Sequence, residues 1–273
     1  MNIAICVSGS IRYPEIGLKS INKIIPKDAK VFIHTWKNVK SGKFLKTIHR
    51  LWEKEGIKEM IDTNFDLSKY SYEKLKVDDF SEKYDELWSL YDSLKFNFYW
   101  RHDIGILSMY YSLYEANKLK CEYEKENNIL FDRVIRMRFD SDFVEESLDV
   151  RQTMPVDLCI PDSRFDYDGI NDQFAIGSSQ MMDIYSNVYQ DIHNLTDCVY
   201  CGEEILKKQL DRHNISPTRI KFPVNKNNNI DFTYEDEDSN LHIGGYQIPR
   251  KVIKVIKEIS PEQFKDLHPY LED

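Results

Sequence analysis

The sequence predicts an α/β fold built on a central, mostly parallel sheet that is flanked by helices. Short apolar runs, "IAICVS" at 3–8 and "KVFIHTW" at 30–36, are typical of strands that are buried on both faces. Between them lies "PEIGLKSINKIIP" at 14–26, a helical segment with a proline at its start and another at its end. A strand, a helix and a second strand at this spacing are the usual beginning of a parallel sheet.

The later elements follow from their own patterns. Apolar residues in 102–126 recur at helical spacing and predict one long amphipathic helix, which leads into a strand over 131–142. Residues 43–95 are charged and aromatic, with few strand signals. The remaining predictions are strands at 157–161 and 172–178, and helices at 44–56, 81–94, 179–192 and 202–215.

Length and charge limit the function classes. A chain of 273 residues can bury a sizeable core, and no linker demands a division, so we predict a single domain over 1–273. Its formal net charge of -9 argues against a nucleic-acid partner, because phosphate binding depends mainly on Lys and Arg. Any phosphate group that the protein binds must therefore be held by a local cluster.

The sequence also predicts a soluble, cytoplasmic protein without a transmembrane segment. No apolar run approaches the roughly 20 residues of a membrane span, and the N-terminal run is interrupted by Ser8, Gly9 and Ser10. Five cysteines, an odd number, fit a reducing compartment better than a disulfide framework. Cys198 and Cys201 form a C-x-x-C pair, but a structural zinc site needs a second pair of ligands.

The stretch "RMRFDSD" at 136–142 carries the strongest chemical signal. If the strand continues through it, Arg136, Arg138, Asp140 and Asp142 share one face, because strand side chains alternate. Two cations and two anions on a buried face are costly unless they pair with each other, with a metal or with a ligand. Three interpretations stay open: a cation site for a phosphate ligand, buried Arg-Asp salt bridges, and a polar turn.

The order of several segments resembles that of GT-A-fold, nucleotide-sugar-dependent glycosyltransferases, in particular small enzymes of bacterial surface-polysaccharide loci and of large glycosylating viruses. The resemblance covers residues 1–215 and leaves the tail from residue 216 unassigned. It implies a Rossmann-type sheet, with a nucleotide-donor half at 1–142 and an acceptor half with the C-terminal tail at 143–273. The matching segments are "ICVSGSIR", "VFIHTW", "MYYSLYEANKL", "FDRVIRMRFDSD" and "GINDQFAIGSS".

The resemblance also implies roles for single residues. Asp140 and Asp142 would form the D-x-D motif that binds Mn²⁺ or Mg²⁺ on the donor diphosphate, and His242 in "LHIGGY" would be a further metal ligand. For the loop after the first strand, an ordinary turn is the alternative. For His34, a place in the core is the alternative. The implied nucleotide-sugar-binding residues are Ser8, Gly9, Ser10, Arg12, His34, Arg136, Arg138 and Asp140.

Two carboxylates are candidates for the acceptor side. Asp172 would be the general base that deprotonates the acceptor hydroxyl in an inverting reaction, although an Asx turn that opens a strand explains it equally well. Glu203 is the alternative base, but a carboxylate in the first turn of a helix is also favoured by the helix dipole alone.

The predicted function is therefore metal-dependent transfer of a sugar from a nucleoside diphosphate donor, UDP-linked, to a hydroxyl of a glycan acceptor. One alternative is a non-catalytic nucleotide- or glycan-binding protein that retains the fold. Another is a phosphatase with a D-x-D nucleophile, but such enzymes carry that motif on the first strand, where this chain has Ser-Gly-Ser.

Overall fold

The computed structural model describes most of the chain up to residue 220 and three short strands beyond it. The described residues are 1–11, 14–24, 26, 28–37, 66–94, 103–141, 158–162, 169–195, 201–220, 234–235, 241–243 and 246–248. The strands are β1 (Ile3–Gly9), β2 (Lys30–Lys37), β3 (Lys74–Asp79), β4 (Arg133–Met137), β5 (Leu158–Pro161), β6 (Phe174–Gly177), β7 (Thr218–Ile220), β8 (Tyr234–Glu235), β9 (Leu241–Ile243) and β10 (Tyr246–Ile248). The helices are α1 (Pro14–Ile24), α2 (Phe80–Leu94), α3 (Asp103–Asn127), α4 (Ser179–Ser186), α5 (Val188–Asp191) and α6 (Gly202–Arg212), with 3-10 turns at Leu67–Tyr70 and Ile192–Asn194.

Seven strands form one sheet in the order β3-β2-β1-β4-β6-β5-β7. The four strands β3, β2, β1 and β4 run parallel, whereas β6 is antiparallel to both of its neighbours and β5 and β7 are parallel to each other. The predicted α/β class with a mostly parallel sheet flanked by helices is thus confirmed. Strands β8, β9 and β10 form a separate antiparallel sheet.

Side chains of the central sheet enter two apolar clusters, one on each face. In β1, Ala4 and Cys6 belong to the cluster beneath α3, while Ile5 and Val7 belong to the cluster on the α1 side. Helix α3 lies across β1 and β2, so the sheet is buried on both faces. This double burial explains why β1 and β2 are mainly apolar. Among the described residues, no helix is long and apolar enough to cross a membrane.

Three sequence predictions differ from the structure. Strand β3 lies in the region interpreted as having few strands, because an edge strand that is only half-buried needs no apolar run. Strand β4 ends at Met137, so the predicted alternation does not reach Asp140. The predicted helix at 179–192 is divided at Asn187 into α4 and α5. The predicted helix at 44–56 lies outside the described residues.

Helix α1 approaches the end of β4 through a glycine. A methyl group added at Gly17 would overlap the backbone carbonyl of Phe139 and come within 2.9 Å of the Tyr70 hydroxyl. Phe139 directly precedes Asp140, so the close approach of α1 fixes the position of the chain that carries this carboxylate.

A buried lysine joins α3 to α4. The Lys120 ammonium group donates to Ser179 Oγ at 2.5 Å and to Asp183 Oδ1 at 2.7 Å, and it lies 3.0 Å from Glu124 Oε2. Burial lowers the pKa of Lys120, but the hydrogen bond to Asp183 and the charge of that carboxylate act in the opposite direction, and the pKa is raised overall. The charge is therefore fully paired inside the fold, as a buried charge must be.

Candidate functional site

A row of polar side chains crosses the parallel strands near their carboxyl ends, on the face covered by α3. Ser8 of β1 pairs in register with His34 of β2, and His34 pairs with Lys76 of β3. On the other side of β1, Val7 pairs with Met137, so Arg138 follows at the level of Ser8. The carboxyl ends of parallel strands are the edge where open α/β sheets bind ligands. Sequence-predicted site residues on three strands are therefore brought to one edge.

Gly9 ends β1 in a conformation that favours glycine, with a φ of +117°. Its N–H donates to Ser112 Oγ of α3 at 2.8 Å, and its carbonyl accepts from Thr35 Oγ1 at 2.8 Å. A methyl group on Gly9 would meet no atom within 4 Å. Glycine is thus required here for backbone conformation and not for space, and the peptide is held by neighbours on two elements.

His34 is fully buried, and both of its ring nitrogens are engaged. Nδ1 lies 2.7 Å from Ser112 Oγ, and Nε2 lies 3.2 Å from Asp78 Oδ2. Burial lowers the pKa of His34 to about 4, and the nearby Asp78 carboxylate offsets only part of this effect. The ring is therefore neutral at pH 7, with the Nε2 hydrogen donated to the carboxylate.

Asp78 connects His34 to the ion pair between Lys76 of β3 and Glu115 of α3. The carboxylate accepts from the Tyr111 hydroxyl at 2.7 Å and lies 3.1 Å from the Lys76 ammonium, which also donates to Glu115 at 2.8 Å. Burial raises the pKa of Asp78, but the hydrogen bonds from Tyr111, His34 and Lys76 outweigh it, and the pKa is lowered. Asp78 thus stays ionised and can hold the imidazole in one tautomer.

Arg138 and Asp140 form a bidentate ion pair in the turn after β4. The guanidinium Nε lies 2.8 Å from one carboxylate oxygen and Nη2 lies 2.5 Å from the other. The turn is closed by Ser141, whose N–H donates to the Arg138 carbonyl at 3.3 Å and whose hydroxyl accepts from the Arg138 N–H at 3.0 Å. Two of the interpretations of this stretch therefore hold together, because the segment is a polar turn and contains an Arg-Asp salt bridge.

Arg136 is buried without comparable compensation. Its side chain is 1% exposed, and among the described residues its Nε and Nη1 have no hydrogen-bond partner. Burial lowers the pKa of its guanidinium, and the nearby Tyr185 and Asp172 do not restore it. The Ser8 hydroxyl, on the same face of the neighbouring strand, is also buried without a partner among these residues. The site therefore contains polar hydrogen-bonding capacity that its described protein groups do not use.

Asp172 and Glu203 approach this cluster from the other half of the sheet. The loop that carries Asp172 is tied to the start of α6 by a hydrogen bond from the Ile170 N–H to the Glu203 carbonyl at 3.0 Å. Burial acts to lower the pKa of the Arg138 guanidinium, but the negative charges of Asp140, Asp172 and Glu203 outweigh it. The pKa of Arg138 is therefore raised. The structure thus brings both acceptor-side carboxylates near the arginines.

Other predicted site residues fall outside this description. Arg12 and Asp142 lie outside the described residues, and for His242 the structure describes only the backbone, in β9. The part of the chain with described side chains holds no group of three or more His, Cys, Asp or Glu that could bind a metal.

Sequence reasoning missed Ser112 and Asp78. Ser112 is a polar residue within the buried stripe of α3, which was the available signal. Asp78 lies in β3, a strand that the sequence pattern did not predict.

Comparison with known proteins places most of this site in one family. The profile of a domain of unknown function, DUF7796, matches residues 102–243, which is more than half of the chain. The chain belongs to the DUF7796 family. The DUF7796 match includes Arg136, Arg138, Asp140, Asp172 and Glu203.

No curated protein matches this DUF7796 chain significantly. Among solved structures, the apo form of mouse xyloside xylosyltransferase 1 is similar, with 10% sequence identity and a TM-score of 0.38. That similarity covers 80% of this chain and 84% of that chain.

Proposed function

We propose that this DUF7796 protein is a metal-dependent glycosyltransferase that transfers a sugar from a nucleoside diphosphate, UDP-linked, to a hydroxyl of a glycan acceptor. The observation that carries the proposal is the pair of arginines at the carboxyl edge of β4. Arg138 stands beside Asp140 at that edge, and Arg136 lies behind it with two unpartnered nitrogens. Guanidinium groups bind phosphate oxygens through several N–H donors in fixed geometry.

The local charge supports a metal ion in addition to the arginines. Arg136 and Arg138 contribute two positive charges to this group of side chains, and Asp140, Asp172 and Glu203 contribute three negative ones, so the group has one net negative charge. A diphosphate adds further negative charge to this group. A divalent cation would offset it, since phosphate-binding sites use Mg²⁺ together with one or two carboxylates.

Asp140 suits such a cation by its chemistry. Carboxylate oxygens are ligands of the kind that Mg²⁺ and Mn²⁺ accept, and Asp140 lies beside Arg138 in the turn after β4. Asp142 and His242, implied by the family resemblance, would complete the ligand set for Mn²⁺ or Mg²⁺. When bound, the metal would supply positive charge that stabilises the leaving nucleoside diphosphate.

The β1 turn would receive the nucleotide. Ser8 and Gly9 end β1 next to the end of β4, and Ser10 and Arg12 follow them in the chain. The absence of a side chain on Gly9 lets a ligand approach the backbone closely. Nucleotide and diphosphate would thus lie along the carboxyl ends of β1 and β4.

Asp172 would act on the acceptor. In an inverting reaction the acceptor oxygen forms a bond to the anomeric carbon, and the bond from that carbon to the phosphate oxygen breaks with its electron pair. Asp172 takes the proton of the attacking hydroxyl, with Glu203 as the alternative base. Arg136 and Arg138 stabilise the negative charge that forms on the leaving diphosphate.

Calorimetric binding of nucleoside diphosphates with and without Mn²⁺ tests the proposal. We expect the wild-type protein to bind UDP with a dissociation constant on the order of 10 µM, and only with the metal. Asp140→Asn and Asp142→Ala should weaken binding by roughly tenfold or more, because each removes a carboxylate that offsets the cation. Asp132→Asn is the matched control, since this carboxylate lies just before β4 at the opposite edge of the sheet.

Turnover separates the enzyme from the alternative, a non-catalytic nucleotide- or glycan-binding protein. The proposed enzyme releases UDP from a UDP-sugar in the presence of Mn²⁺, whereas a binding protein titrates with ligand and releases none. The proposed function would be contradicted if no nucleoside diphosphate bound, or if binding were unchanged both without Mn²⁺ and in Asp140→Asn.

A further inference from the structure

The Gly9 peptide is held from two sides by residues that are themselves held. On one side, Ser112 Oγ accepts from the Gly9 N–H, and on the other Thr35 Oγ1 donates to the Gly9 carbonyl. Ser112 is completely buried, and it is linked to His34. A single turn of backbone therefore depends on side chains from β2 and α3, which are far from it in sequence.

We propose that His34 and Ser112 are positioning residues that hold the Gly9 turn in its nucleotide-binding shape, and that they act on the nucleotide only through this turn. The inference rests on the proposed function, because it assigns the turn to the nucleotide. It replaces the direct contact with the nucleotide sugar that the family resemblance implied for His34. Such a contact is incompatible with a ring that is fully buried and has both nitrogens engaged.

The direction of the hydrogen bonds explains how the assembly works. A carboxylate only accepts, so Asp78 fixes the hydrogen of His34 on Nε2 and leaves Nδ1 as an acceptor. Nδ1 lies 2.7 Å from Ser112 Oγ, closer than the His34 carbonyl at 3.2 Å, and so accepts the hydroxyl hydrogen of Ser112. This orients a lone pair of Ser112 Oγ toward the Gly9 N–H. Cooperative chains of this kind are strongest where water is excluded, as it is under α3.

The groups that face His34 come from two elements. From β3 they are Asp78 and Lys76, and from α3 they are Tyr111, Ser112 and Glu115. The pair Lys76–Glu115, at 2.8 Å, holds the lysine beside Asp78. The network that fixes the imidazole tautomer is therefore anchored on β3 and α3.

Two substitutions of His34 separate its two hydrogen bonds. In His34→Asn, the amide oxygen occupies the region of Nδ1 and can accept from Ser112, but the contact with Asp78 is lost. In His34→Gln, the longer side chain places its amide near the Nε2 position and can donate to Asp78, but Ser112 loses the Nδ1 acceptor and keeps only the more distant His34 carbonyl, at 3.2 Å. Both variants remove the ring, so the loss of aromatic packing is matched between them.

Hydrogen exchange of the Gly9 amide and calorimetric binding of UDP with Mn²⁺ are the two readouts. We expect the Gly9 amide to exchange roughly tenfold faster in His34→Gln than in His34→Asn, which is the effect of one lost hydrogen bond. The dissociation constant for UDP should be roughly tenfold higher in His34→Gln for the same reason. Thr35→Val, which removes the second hold on Gly9, should also weaken UDP binding. Melting temperatures of the three variants show that each one folds.

The outcomes distinguish the two levels of the argument. Equal Gly9 exchange in the Asn and Gln variants would overturn the positioning role. Faster exchange in the Gln variant with unchanged UDP affinity would show that the turn does not hold the nucleotide, and would overturn the inference as well. If the wild-type protein binds no nucleotide, both the proposed function and the role of His34 and Ser112 at a nucleotide site are wrong. If only the positioning role is wrong, the wild-type protein still binds nucleotide.

Discussion

Arg136→Met should separate stability from ligand binding. Arg136 is buried, and among the described residues its Nε and Nη1 lack partners. An unsatisfied buried donor costs about 1 to 3 kcal/mol, and replacing a buried ion by an apolar side chain of similar size is often neutral or stabilising by about 1 to 4 kcal/mol. Part of this gain is lost because Asp172 and Tyr185 attract the charge. We therefore expect the free energy of unfolding to be unchanged or to rise by up to about 2 kcal/mol.

Urea unfolding monitored by circular dichroism measures this change as a shift in midpoint at constant slope. Arg138→Met is the comparison, because it breaks the bidentate pair with Asp140 and leaves that carboxylate without its cation. We expect this second variant to lose about 1 to 3 kcal/mol, since the pair is only partly buried. Both variants should weaken UDP binding by at least roughly tenfold.

A loss of about 3 kcal/mol or more in Arg136→Met would contradict the view that Arg136 is unpaired in the fold. Such a loss is typical of a broken structural ion pair, and it would mean that Arg136 is a partner of Asp172 in the fold. The arginine would then offer no spare hydrogen-bonding capacity to a ligand, and the proposed function would lose the observation that carries it.

Three further perturbations test the surrounding structure. Gly17→Ala should lower the free energy of unfolding by about 1 to 3 kcal/mol in urea titrations, because its methyl group overlaps the Phe139 carbonyl. Gly105→Ala in α3 is the control, and it should raise the free energy of unfolding by about 0.5 to 1 kcal/mol, because a methyl group there meets no atom within 4 Å. The neutral, buried His34 stabilises the fold fully above its ordinary pKa of 6.5, and this contribution is lost as the pH falls through its folded pKa of about 4. The free energy of unfolding should therefore fall by roughly 3 kcal/mol between pH 7 and pH 4. His34→Asn should lack this loss. Lys120→Met should lower the melting temperature, with a loss of about 3 to 5 kcal/mol, because it leaves two carboxylates without their buried cation.

Each of these expectations has an opposite result. Equal effects of the Gly17 and Gly105 substitutions would contradict the close approach of α1 to Phe139. The same acid-induced loss in wild type and His34→Asn would assign the pH dependence to other groups. A Lys120→Met variant as stable as wild type would mean that water compensates the carboxylates of α3 and α4.

Local patterns predicted most of the central sheet because double burial leaves a mark on the sequence. Strands β1 and β2 are mainly apolar, and α1 and α3 begin and end within two residues of their predicted bounds. Strand β3 left no such mark, since an edge strand with half-exposed side chains tolerates the lysines and aspartates that it carries. The pattern in "RMRFDSD" overextended β4, because alternation of residue types does not reveal where a turn begins.

The sequence by itself determined the α/β class, the location of the arginine and aspartate cluster after a buried strand, and the glycine that ends β1. Tertiary structure decided which of these side chains meet. His34 contacts Ser112 across 78 positions of the chain, and Asp78 across 44, because strand register and the seating of α3 bring them together. It also decided that Arg138 is paired with Asp140 while Arg136 is buried beside them with two unused nitrogens among the described residues. The physical reason is that residue types set local conformation and burial, whereas hydrogen bonds between distant side chains exist only once the sheet and helices have packed.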